Sequence, residues 1–69
     1  MKTYILDFNA HLVSVSCNDL YLAIKSVIKE YYPDYLLGDI EHLDNIYNIY
    51  TDKGYIVIYV KEIEASFSF

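Results

Sequence analysis

The chain has 69 residues, 55% of them hydrophobic and 22% charged, which is the size and composition of a single small globular domain (1–69) with no room for a second. Nine Tyr, three Phe and many Ile and Val exclude a disordered polar chain. Ten acids face five bases, every one of them Lys, for a net charge of −5; without Arg or a basic face, direct nucleic-acid binding is not expected and a basic partner is.

The first segment reads as a hairpin. Tyr4, Leu6 and Phe8 alternate with Thr3, Ile5 and Asp7, and beyond a turn at Asn9-Ala10, Val13 and Val15 alternate with Ser14 and Ser16. Period two is the pattern of half-buried strands, so the Tyr4/Leu6/Phe8 and Val13/Val15 faces should turn inward. A helix follows from about Asn18 to Tyr31, because Leu20, Ile24, Val27, Ile28 and Tyr31 form one stripe at helical spacing. Ser16 or Asn18 can cap it, Asp19 falls in its first turn, and Pro33 stops it.

A long hairpin comes next. Ile46–Tyr50 and Tyr55–Val60 flank Thr51-Asp52-Lys53-Gly54, where Gly54 supplies the positive φ of a three- or four-residue loop. Residues 39–45 suit either a helical turn or an extension of the following strand, and extension is the favoured reading. In the tail the apolar residues change phase, from Ile56, Ile58 and Val60 to Ile63, Ala65, Phe67 and Phe69, which predicts a β-bulge near Lys61-Glu62. The fold expected is α+β: a two-layer sandwich in the order β-β-α-β-β, with one helix on one face of an antiparallel sheet ordered 2-1-3-4.

Two surfaces stand out. Residues 30–44 hold Glu30, Asp34, Asp39, Glu41 and Asp44 with no base, whereas residues 1–29 hold three Lys and two Asp. The acidic stretch, with Tyr35 among its aromatics, is the expected docking surface for a basic protein. The last hairpin is apolar on both faces, so Tyr55, Val57 and Tyr59 should face away from the helix, joined by either Tyr47/Ile49 or Ile46/Tyr50 according to loop register. Together with Ile63, Phe67 and Phe69 on a last strand expected at the sheet edge, they are the residues expected to carry self-association into a homodimer. The alternative for the tail is that it folds back on its own helix.

Catalytic chemistry is thin. His42 beside Asp39, Glu41 and Asp44 lacks metal-ligand spacing and reads as a surface histidine; His11 stands alone; Cys17 reads as a small space-filling hydrophobe. No phosphate loop or nucleophile signature is present, so no enzyme activity, metal or cofactor is expected. The start Met1–Asp7 is too short in apolar residues for a secretory core, the longest apolar run, Tyr55–Val60, is too short for a bilayer, and a lone Cys fits a reducing compartment. A cytoplasmic, membrane-free location is expected.

A very short, acidic, Arg-free, Tyr- and Ile-rich chain without a catalytic motif resembles the small phage-encoded inhibitors of bacterial defence, the anti-CRISPR type above all. The resemblance lies in overall character along the whole chain. It implies a non-enzymatic cytoplasmic inhibitor that blocks a nucleic-acid-binding surface of a nuclease complex. A homo-oligomeric adaptor and a small-ligand binder stacking nucleotides on Tyr rings are the competing classes; the missing Arg and phosphate loop count against the last.

Overall fold

The computed structural model describes residues 1–63. Its elements are β1 (Lys2–Phe8), β2 (His11–Cys17), α1 (Leu20–Tyr31), β3 (Leu37–Leu43), β4 (Ile46–Thr51) and β5 (Gly54–Ile63). The five strands form one sheet in the order β2-β1-β5-β4-β3, antiparallel at every pairing.

The first hairpin is as expected. Phe8 pairs with His11 across Asn9-Ala10, both with positive φ (45° and 66°), the two-residue turn whose twist matches the flanking strands. Leu6 and Phe8 are buried and Val13 and Val15 half-buried. The helix starts later than expected: Asp19 caps it rather than Ser16 or Asn18, with φ −123° and its carboxylate accepting from the Leu22 N–H at 3.3 Å. A carboxylate outside the helix reaches the free N–H groups that one within the first turn does not. At the other end Tyr32 leaves helical geometry ahead of Pro33, and its hydroxyl accepts from the Asn9 side chain at 2.7 Å, tying the helix end to the first turn.

Three expectations about the sheet are overturned. Residues 39–45 are extended but do not lengthen the next strand: the chain reverses at Asp44-Asn45, Leu43 pairs with Ile46, and a fifth strand results. Asp44 takes φ 54°, which a short polar side chain tolerates. The strand beside β1 is the last one, not the one that follows the helix, so the order 2-1-3-4 is wrong. The strand with the longest apolar run takes the centre, where both edges pair and Leu6 lies opposite Val60. β5 is therefore no sheet edge.

The third correction concerns the bulge. β5 keeps one register against β1 through Tyr59, Val60, Lys61, Glu62 and Ile63, with none at Lys61-Glu62. The register slips instead in β3, between Leu37 and Ile40, where Gly38 lies so close to β4 that a Cβ would sit 3.3 Å from the Tyr50 carbonyl oxygen. The β4–β5 loop is also tighter than expected: Asp52-Lys53 alone separate paired Thr51 and Gly54, and Gly54 carries the positive φ (118°).

One hydrophobic cluster joins helix and sheet. Ile24, Val27 and Ile28 meet Leu6 and Phe8 of β1, Tyr47 and Ile49 of β4, and Ile56, Ile58 and Val60 of β5. Leu20 is half-buried, and Tyr31 is more exposed than the stripe implied, although its ring meets Phe8 edge-on at 5.4 Å. The segment after the helix is held by Asp52, whose carboxylate accepts from the Leu36 N–H at 3.0 Å while its own N–H donates to the Leu36 carbonyl at 3.2 Å. Asp52→Ala should lower stability by about 1 kcal/mol by removing one of this pair, read as a fall in the denaturation midpoint at unchanged m-value.

Candidate functional site

Of the acidic residues, Asp39 and Glu41 project from β3, the outermost strand on one side, and Asp44 sits in the turn that ends it. All three are exposed. Asp34 lies in the turn before β3, and Glu30 on the last turn of the helix, a separate element. Among the described residues the one side-chain ion pair is Lys2–Glu62 at 3.8 Å, so none of these five acids has a basic side chain within pairing distance. Lys53 reaches the start of this segment: it donates to the Asp34 carbonyl at 3.4 Å and lies 5.0 Å from the centre of the Tyr35 ring. Tyr35 is half-buried, packed on the core with its ring 4.9 Å from that of Tyr32. It serves the fold first, and the acids supply the free surface.

Beside this edge lies the sheet face opposite the core. The register places Leu12, Asp7, Tyr59, Ile46 and Leu43 in one row across all five strands. The neighbouring row runs Glu41, Asn48, Val57, and Tyr50 pairs with Tyr55, their rings 6.2 Å apart. The open alternative between Tyr47/Ile49 and Ile46/Tyr50 is thereby decided: Tyr47 and Ile49 are buried in the core, and Ile46 and Tyr50 join Tyr55, Val57 and Tyr59 on the outer face. Tyr55 is 66% exposed and Tyr59 52%. Ile63 shares their side of β5, on a central strand rather than an edge; Phe67 and Phe69 lie outside the described residues. Sequence reasoning missed Leu12 and Leu43, both exposed at the two ends of the row. Their out-of-phase positions beside Val13 and His42 were the available signal.

The remaining reactive side chains have structural surroundings. His42 stacks on Tyr47 with ring centres 4.0 Å apart and hydrogen-bonds the Asp44 carbonyl. His11 packs on Phe8 and Tyr31. Cys17 is half-buried rather than sealed in the core. Among the described residues no three His, Cys, Asp or Glu side chains are grouped to hold a metal, and no helix is long and apolar enough to cross a membrane.

Burial raises the Tyr47 phenol above its ordinary 10.0, and the neighbouring Tyr21 and Tyr4 raise it further. Below pH 10 the phenol is neutral folded and unfolded, and the shift has no effect on stability. Above it the unfolded chain loses the proton first, so stability falls as pH rises until the folded phenol also ionises. Tyr47→Phe should move the onset of alkaline unfolding to higher pH, measured by circular dichroism across an alkaline titration.

No protein-family model, curated protein or solved structure matches the chain.

Proposed function

We propose that this protein is a non-enzymatic, cytoplasmic binding module that inhibits a bacterial defence nuclease by occupying its basic, nucleic-acid-binding surface. In this reading the fold is a two-layer sandwich: the helix covers one sheet face, and the other face, with the acidic β3 edge beside it, meets the partner. The observation that carries it is the adjacency of Asp39, Glu41 and Asp44, exposed and in no ion pair among the described residues, to a face bearing Tyr50, Tyr55 and Tyr59. Unpaired carboxylates steer a basic surface into contact, and Tyr rings supply area with a hydrogen-bonding tip at low entropic cost. Such a surface competes with a phosphate backbone for the same Lys and Arg side chains. No metal or cofactor takes part.

Affinity capture from the lysate of its bacterial host, with partners identified by mass spectrometry, tests this. Basic nucleic-acid-binding proteins, released by added salt and displaced by competing DNA, are the expected result. Retention that ignores both salt and DNA would overturn it.

A further inference from the structure

The two edges of the sheet are protected unequally. β3 carries Asp39 and Glu41 and is interrupted by a bulge, the devices by which natural sheets prevent edge pairing. β2, His11-Leu12-Val13-Ser14-Val15-Ser16-Cys17, has neither: it contains no Asp, Glu, Lys or Pro and pairs with β1 in one unbroken register. The two-residue turn at Asn9-Ala10 makes Phe8–His11 a hydrogen-bonded pair, so the backbone groups of His11, Val13, Val15 and Cys17 bond β1. Those of Leu12, Ser14 and Ser16 turn outward, with no strand beside them among the described residues.

Along this edge runs a mostly apolar groove between β2 and α1, lined by Val15, Cys17, Leu22, Ala23 and Val27 together with Asp19 and two serines. Leu22 stands 61% exposed at its rim. An unpaired backbone beside an apolar trough is the geometry that accepts an added strand.

We propose that two copies of this chain pair through antiparallel β2 strands about a two-fold axis at Ser14, forming a continuous ten-stranded sheet. In that register Ser14 faces its own counterpart and Leu12 faces Ser16 of the second copy, so every outward backbone group finds a partner. Val15 of one chain lies beside Val13 of the other on the helix face, where Leu22 closes over the pair. The charge distribution selects a second copy as the occupant. The chain is acidic overall, but residues 1–29 carry three Lys and two Asp, so two copies meet here without the repulsion that would oppose contact through residues 30–44. Pairing of β2 with itself closes after two subunits, and the blunted β3 edges prevent growth into a filament. The pairing is independent of the proposed inhibitory role; it leaves both acidic edges free at the far ends of the assembly.

Light scattering coupled to size exclusion on the full chain tests the proposal. The wild type should run at twice its 8.1 kDa chain mass. Ser14→Lys, which sets two ammonium groups directly opposite at the axis while its side chain stays on an exposed face, should halve the mass and retain the far-ultraviolet spectrum. Tyr59→Lys, on the outer face of a central strand, should leave the dimer intact. Amide exchange supplies a second readout: the Leu12, Ser14 and Ser16 amides should be protected in the wild type and exchange faster on dilution. A wild type that stays monomeric at every concentration would overturn the proposal. So would a dimer that survives Ser14→Lys with those three amides unprotected.

Discussion

Ile24→Asp is expected to abolish the cooperative unfolding transition. Ile24 is fully buried at the centre of the helical stripe, among side chains from β1, β4 and β5, and among the described residues the core around it is aliphatic and aromatic, with no cationic side chain to pair a carboxylate. A buried unpaired carboxylate costs several kcal/mol, and loss of the sec-butyl contacts adds a few more. A domain of 69 residues has total stability of only about 5 kcal/mol. The penalty therefore matches or exceeds the whole. Thermal unfolding followed by circular dichroism should show a weak, non-cooperative slope; a melt within a few degrees of wild type would mean that the helix does not bury this face. Lys25→Asp, the next residue along the helix and exposed, should melt nearly as wild type and serves as the control.

The second large effect is on association. The structure changes how the acidic edge has to be altered. Asp39 and Glu41 are exposed and accept Lys, but Asp44 holds φ 54° in the β3–β4 turn, where Lys would be strained. Asp39→Lys, Glu41→Lys and Asp44→Asn together add five units of positive charge to one edge without asking the turn to move. The variant should keep the wild-type melt, since no ion pair among the described residues involves these side chains. Its association with a basic partner should slow by about tenfold or more, and the wild-type rate should fall toward the variant's as salt shortens the screening length below about 8 Å. Stopped-flow or surface-binding kinetics across a salt series separates the two rates. Equal association rates for wild type and variant would remove the acidic edge from the binding surface.

These two expectations rest on different kinds of legibility. The helix was readable because its signal is local: Leu20, Ile24, Val27 and Ile28 repeat every three to four residues, and Pro33 ends the run whatever surrounds it. The first hairpin was readable for the same reason, since Asn9-Ala10 connects two runs of period two and neighbouring strands pair by default. The β3–β4 hairpin was missed because Asp44-Asn45 is a two-residue reversal inside a stretch that reads as extended on both sides. The acidic segment was visible as composition, but its division into an edge strand, a turn and a helix end was not.

Local pattern along the chain was enough for the class of fold, the inward residues of β1, β2 and α1, the position of the loop before Gly54 and the acidity of residues 30–44. Each of these follows from residues a few positions apart. Long-range packing put β5 between β1 and β4, made β2 and β3 the edges, and chose Ile46 and Tyr50 over Tyr47 and Ile49 as the partners of Tyr55 and Tyr59 on the outer face. The reason is physical. Which strand lies beside which is a choice among partners of nearly equal local preference, settled by the single arrangement that buries Leu6, Ile49, Ile58 and Ile24 in one cluster. That choice exposes β2 and gives β3 its charged margin, and no spacing along the chain records it.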